Sequence, residues 1–377
     1  MDKKETPILL LTGYLGSGKT TLVNRILANR QGIRFAVIVN DIGEVNIDAS
    51  LIQKGGVVGS KDDSLVALQN GCICCTLKMD LVEQICSLIK MASFDYIVIE
   101  ASGICEPVPI AQTICSIERM PPEYTKYGLP RLDCVVSVLD ALRLRDEFDN
   151  AQSLVKQNID DEDIENLIIQ QVEFCDIVLL NKVDEVSPEE LGKIKAIVKT
   201  IQPTAEIIDC NYSDVALQKI LNTHRFNFNR ASISAAWIQE LEKPIEDADE
   251  SEEVEEYGIG TFIYFRRRPF DMNKFDHFVM KKWPVNIIRT KGICWFKSDN
   301  DMSYMFEQSG RQKQLREIGQ WYATAPVEEL ENLMMDDPTL AMDWDDECGD
   351  RMIKLVFIGQ NLDREGLSAD LDFCLAE

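Results

Sequence analysis

Short apolar runs alternate with amphipathic stretches through the first two-thirds of the chain. Ile8–Thr12, Phe35–Asn40, Tyr96–Glu100, Cys134–Leu139 and Ile177–Asn181 are runs rich in Val, Ile and Leu, bounded by polar residues or glycine, the pattern of strands buried on both faces. Between them, residues 20–29, 81–91, 164–174 and 188–200 place apolar side chains at helical spacing. This alternation predicts an α/β fold, a mostly parallel sheet with helices on both faces. The pattern breaks at residues 242–256, EKPIEDADESEEVEE, which are too charged and too poor in apolar residues to pack. Beyond the break, residues 260–267, 286–296, 303–307 and 352–359 read as strands and 273–282, 327–335 and 368–376 as helices, a smaller α+β domain. The expected division is a nucleotide-binding domain over 6–228, a helix and acidic linker over 229–256, and the α+β domain over 257–377. No internal repeat is visible.

The first run leads into Gly13-Tyr14-Leu15-Gly16-Ser17-Gly18-Lys19-Thr20, which satisfies G-x-x-x-x-G-K-[ST] between a strand and a helix. Glycines let such a loop wrap a phosphate with its N–H groups pointing inward. Gly13, Gly16, Ser17, Gly18, Lys19, Thr20 and Thr21 are therefore expected to bind the nucleotide, with Lys19 neutralising the β/γ-phosphates and the Thr20 hydroxyl on Mg²⁺. Asn181-Lys182-Val183-Asp184 follows the last buried run, where ligands sit in open α/β sheets. A carboxylate at Asp184 accepts two N–H bonds from a guanine edge, and adenine lacks that donor pair. Asn181, Lys182 and Asp184 thus point to GTP and GDP. Glu100 ends an apolar strand three residues before Gly103. It is the candidate second carboxylate for Mg²⁺, and the Gly103 N–H is a candidate γ-phosphate sensor. Asp41, in Asn40-Asp41-Ile42-Gly43-Glu44, is the candidate switch carboxylate near Mg²⁺ or the attacking water. Neither a water-orienting residue nor an arginine finger stands out, so slow intrinsic turnover, accelerated by a client or by dimerisation, is expected.

Gly71-Cys72-Ile73-Cys74-Cys75 lies between Asp41 and Glu100. Three thiols in four residues, deprotonated, make a soft ligand set suited to Zn²⁺, with Cu⁺ and Co²⁺ conceivable. Glu44 or a water can fill the fourth position. A redox-active dithiol or buried free cysteines are the alternatives. Cys134, Cys175 and Cys294 lie in or beside apolar runs and are read as small core residues, and Cys105 is better read as core than as part of the site. His224 and His277 are isolated and read as surface or packing residues.

Composition narrows the class further. The 377 residues exceed a single comfortable core, and 64 acidic against 39 basic residues give a net charge of −25. That excess argues against nucleic acid or an anionic membrane as the main partner. No segment approaches the roughly 20 apolar residues of a bilayer span, and the N-terminal residues lack a secretory pattern. The expectation is a cytoplasmic protein whose twelve cysteines stay reduced.

With these motifs assembled, the chain resembles the CobW family of P-loop GTPases, relatives of the nickel accessory GTPases for urease and hydrogenase. The resemblance rests on TGYLGSGKTT, NDIGEVNID, NGCICC, IEASGICEP and NKVD, and on YGIGTFIYFRRRPF, KGICWF and MIKLVFIG in the second domain. It implies a SIMIBI-type GTPase domain followed by a CobW C-terminal domain. It also implies hydrolysis of GTP to GDP and phosphate coupled to delivery of a metal, most often zinc, to a client metalloprotein. The family's phosphate loop falls on Gly13, Gly16, Gly18, Lys19 and Thr20, its metal motif on Cys72, Cys74 and Cys75, and its guanine motif on Asn181, Lys182 and Asp184. Nucleotide-dependent homodimers occur among the relatives. Many members carry a histidine-rich stretch before the second domain. Here the acidic run replaces it and the whole chain has two histidines, which argues against metal storage. A regulatory GTPase with a redox- or metal-sensing cysteine cluster, delivering nothing, is the rival reading.

Overall fold

The computed structural model describes residues 4–29, 32–39, 67–69, 78–149, 160–228, 231, 257–310, 312–326, 329–330, 334–335, 340 and 344–377. The chain divides into two compact units, each built on its own sheet.

In the first unit the strands are β1 (Glu5–Thr12), β2 (Phe35–Val39), β3 (Ala67–Gln69), β4 (Tyr96–Glu100), β5 (Leu129–Asp140), β6 (Ile177–Asn181) and β7 (Glu206–Asp209). They form one sheet in the order β3-β2-β4-β1-β5-β6-β7, with every pairing parallel. Parallel strands need crossover connections that cover the sheet faces, which is why β2, β4 and β6 are buried at every position. Leu9 and Leu11 of β1 pack with Leu22, Val23 and Ile26 of the helix Lys19–Leu27 and with Val98 and Val136 of the neighbouring strands. Each such fully buried side chain contributes roughly 1.5–3 kcal/mol. The register sets the strand ends level: Leu11 lies beside Glu100, Thr12 beside Ser137, and Asp140 beside Asn181. One edge of the sheet therefore gathers the residues that follow β1, β4, β5 and β6.

The second unit carries β8 (Ile259–Arg266), β9 (Ile287–Phe296), β10 (Asp299–Ser309), β11 (Gln312–Gln320) and β12 (Ile353–Gln360), in the order β11-β10-β9-β12-β8. All of its ladders are antiparallel. The helices Met272–Lys281 and Arg364–Phe373 join it, and an aromatic cluster fills its core. Phe270 stacks on Phe275 at 4.7 Å, and Phe275 meets Phe306 edge-on at 5.3 Å.

The expected elements over 8–12, 96–100 and 177–181 coincide with β1, β4 and β6, except that β1 begins at Glu5. β5 begins at Leu129, five residues ahead of the apolar run. The helix expected over 368–376 is Arg364–Phe373, and the one expected over 327–335 falls only partly on described residues. The acidic stretch 242–256 lies outside them. Among the described residues no helix is long and apolar enough to cross a membrane.

Candidate nucleotide site

The loop between β1 and the first helix is shaped by its glycines. Gly13, Gly16 and Gly18 have φ of 135°, 78° and 113°, conformations that cost an L side chain energy. Space adds a second constraint at two of them. A Cβ on Gly13 would stand 2.2 Å from the Val138 carbonyl oxygen, and one on Gly18 would stand 2.4 Å from Asn181 Nδ2. Lys19 is buried, 7% exposed, and its ammonium donates to the carbonyls of Gly13 at 2.7 Å and Tyr14 at 3.1 Å. It thus closes the loop on itself at the N-terminus of a helix, where backbone N–H groups favour an anion.

Thr20 Oγ1 donates to Glu100 Oε1 at 2.9 Å, and Glu100 is buried. A hydroxyl and a carboxylate side by side at a phosphate loop form the hard-oxygen donor set that suits Mg²⁺. Three residues on, Gly103 lies against the loop. A Cβ there would meet Leu15 Cγ at 2.7 Å and Leu15 N at 2.8 Å. Because one of those atoms is backbone, Gly103→Ala must push the phosphate loop aside. Displacements of that kind cost up to about a hundredfold, so GTP turnover of this variant should fall about tenfold or more. Steady-state phosphate release with an unchanged melting temperature checks it, and wild-type turnover would show that the contact is incidental.

The Asn181–Asp184 segment is held from several sides. Asn181 Nδ2 donates to the Ser17 carbonyl at 2.8 Å, and Asn181 Oδ1 accepts from Ser213 N–H at 2.9 Å. Ser213 Oγ donates to the Gly18 carbonyl at 2.9 Å. Lys182 has a left-handed backbone, φ 61°, and pairs with Asp140 at the end of β5. Asp184 N–H donates to Asn211 Oδ1 at 3.2 Å. The Asp184 side chain is exposed, so its carboxylate faces solvent where a ligand can reach it.

Of the predicted site residues, Gly13 to Thr20, Glu100, Gly103, Asn181 and Lys182 converge on this edge of the sheet. Thr21 is exposed on the first helix. Asp41, Glu44, Cys72, Cys74 and Cys75 lie outside the described residues. Among the described residues no group of three or more His, Cys, Asp or Glu could hold a metal. Asp140, Asn211 and Ser213 were not singled out from sequence. Asp140 closes an apolar run as Glu100 and Asn181 do, and that signal was available. Asn211 and Ser213 follow β7, a four-residue strand whose apolar content is too slight to mark what comes next. Cys134, Cys175, Cys294 and Cys105 are all buried, in keeping with core roles.

The family described as CobW/HypB/UreG, nucleotide-binding domain, matches residues 7–209, and the cobalamin synthesis protein cobW C-terminal domain matches residues 259–375. The zinc-regulated GTPase metalloprotein activator 1 of Dictyostelium discoideum is 36% identical over 99% of this chain and 80% of that protein. The zinc chaperone YjiA of Escherichia coli is 31% identical over 60% of this chain and 64% of its own length. A crystal structure of Zn(II)-bound YjiA GTPase from E. coli aligns over 98% of this chain and 99% of that one, with 21% identity and a TM-score of 0.40.

Proposed function

The chain belongs to the CobW family of GTPases, and on that premise we propose that it carries a transition metal, zinc foremost, on Cys72, Cys74 and Cys75 and passes it to a client protein under the control of GTP. The observation that carries this reading is a register. Gln69, the last residue of β3, pairs with Val39, and Val39 pairs with Glu100. The chain therefore leaves β3 level with Glu100, about 10 Å away across two strand spacings. Cys72 is three residues further on, within roughly 11 Å of chain. The end of β3, three residues before Cys72, thus lies at the same sheet edge as the nucleotide residues, which supports the reading.

GTP binds with its phosphates in the Gly13–Thr20 loop, where Lys19 exchanges the Gly13 and Tyr14 carbonyls for phosphate oxygens. Thr20 and Glu100 would hold Mg²⁺, with Asp41 the candidate switch carboxylate, and the ion would supply neutralisation of charge on the phosphates. Asn181, Lys182 and Asp184 fix the guanine base. Glu44 or water completes the metal site. Loss of the γ-phosphate releases the Gly103 segment and the segment after β2, and loosens the thiolates toward a docked client metalloprotein. By linkage, if GTP tightens metal binding then metal tightens GTP binding by the same factor.

Zinc titration of the full chain, free and with Mg²⁺ plus a non-hydrolysable GTP analogue, tests the reading on wild type and on Cys72→Ala/Cys74→Ala/Cys75→Ala. The expected result is zinc affinity raised at least tenfold by the analogue and lost in the variant. Three of the described thiols are held in the protonated form, which binds zinc poorly. Burial pushes Cys210 and Cys374 up to about 11, and burial with a hydrogen bond to Asp345 does the same to Cys348. Equal zinc affinity in both nucleotide states would exclude gated delivery and favour the regulatory GTPase.

A further inference from the structure

Asp140 ends β5, level with Asn181 of the guanine segment. Its two carboxylate oxygens are used differently. Oδ1 accepts the backbone N–H of Arg143 at 3.2 Å in the manner of an N-cap for the helix Ala141–Asp149. Oδ2 takes the Lys182 ammonium. The pair is shielded, with side-chain exposures of 17% for Asp140 and 32% for Lys182. Both residues line a cavity of about 190 Å³ together with the phosphate loop from Tyr14 to Ser17. Arg143 lies over the Tyr14 ring at 5.4 Å, so the helix that Asp140 caps also reaches back to that loop.

We propose that Asp140 is a positioning residue for guanine nucleotide. By drawing the Lys182 ammonium to the end of β5, it lays the four-carbon stem in one fixed course from its left-handed backbone, and an alkyl stem held that way is an apolar surface on which a flat base can rest. A lysine stem left free loses several rotamers' worth of entropy on binding, and pre-ordering removes that cost from the binding step. Asp140 touches neither phosphate nor reacting atoms, so its effect falls on GTP and GDP alike.

This inference rests on Lys182 contributing to nucleotide affinity, and two opposing electrostatic effects make it decidable. Removing a carboxylate near a polyanion should by itself tighten nucleotide binding. Loss of the Lys182 anchor should weaken it. Asparagine caps helices as well as aspartate does, so Asp140→Asn keeps the bond to Arg143 and removes only the charge pair. Asp140→Ser, also a good cap, keeps the test open should the first variant fold poorly.

The experiment measures GTP and GDP dissociation constants and steady-state turnover for wild type, Asp140→Asn, Lys182→Ala and the double variant, each with its melting temperature. The expected result is five- to tenfold weaker binding of both nucleotides by Asp140→Asn. KM should rise with kcat retained, the signature of a contact used equally in ground and transition states. Adding Asp140→Asn to Lys182→Ala should weaken binding no further, because the anchor is already lost and only the electrostatic gain from removing the carboxylate remains. If Lys182→Ala weakens binding while Asp140→Asn binds as tightly as wild type, or more tightly, the positioning role is wrong. If Lys182→Ala itself binds normally, the guanine-segment reading fails and the inference falls with it.

Discussion

Lys19→Ala is expected to lower GTP turnover by about two to three orders of magnitude, the range seen when a preorganised charge at a developing anion is removed. The resting geometry gives the reason. Lys19 is 7% exposed, and its ammonium has loop carbonyls at 2.7 and 3.1 Å as acceptors. The ammonium gains when phosphate oxygens replace these carbonyl dipoles, because ion–ion attraction to a phosphate is added to hydrogen bonds that are already charge-assisted. Its loss removes that gain and also unties the loop from itself. Arginine is no substitute: its planar fork does not reproduce a compact point charge in this loop. Single-turnover phosphate release with GTP in excess of its measured dissociation constant separates lost chemistry from lost binding. Turnover within threefold of wild type would sink the assignment of Lys19.

Legibility from sequence tracks burial. β4 and β6 are buried at every residue, and their apolar runs end where the strands end. Their carboxyl ends, Glu100 and Asn181, were therefore placed correctly from sequence. β5 was found only over its apolar half, because Leu129, Pro130 and Arg131 are partly exposed and do not form a run. β11, Gln312–Gln320, was missed altogether. It is an edge strand paired only with β10, and most of its residues face solvent, so neither face carries a hydrophobic period. The helix Pro107–Ser116 was not among the expected elements, and two prolines, Pro107 and Pro109, stand in its first turn. Pro107 is in fact the first helical residue, where its missing N–H costs nothing.

The site divides along the same line. Motif positions are legible because chemistry fixes their residue types at fixed spacing. Ser213 binds the phosphate loop through Gly18 and the Asn181–Asp184 segment through Asn181, yet nothing local marks it. Its role follows from β7 lying beside β6, which is a tertiary fact. Asp140 is intermediate, since its place at a strand end is visible and its partner is not. The cysteine segment 72–75 lies outside the described residues, and only the strand end before it is fixed, with Gln69 beside Val39 and Val39 beside Glu100.

The second large effect concerns stability and lies away from the nucleotide. Asp133 on β5 has a side chain with no solvent exposure. Tyr96 Oη donates to it at 2.7 Å, Arg131 Nη1 at 2.8 Å, and the backbone N–H groups of Thr223 and His224 at 2.9 Å each. Its own carbonyl accepts from Arg225 and Phe226 N–H at 3.1 and 3.0 Å, so one residue fastens segment 223–226 to the sheet. Burial pushes the carboxyl up, and the bonds from Arg131, Tyr96, His224 and Thr223 together outweigh it, leaving Asp133 below the ordinary carboxylate range. Asp133→Asn turns one oxygen into a donor facing donors. Disrupting a buried, paired charge typically costs about 3–5 kcal/mol, a large share of a domain's total of roughly 5–15 kcal/mol. The pH dependence has a definite sign. The folded value is depressed, so the contribution of Asp133 is complete above the unfolded value near 4 and is lost as pH falls through the folded value. Urea unfolding of wild type and Asp133→Asn should thus differ by about 3–5 kcal/mol at pH 7. The gap should narrow as pH is lowered past about 4. A gap under about 1 kcal/mol at neutral pH, no larger than an ordinary neutral hydrogen bond, would refute the role given to this carboxylate, as would a gap that stays constant into acid.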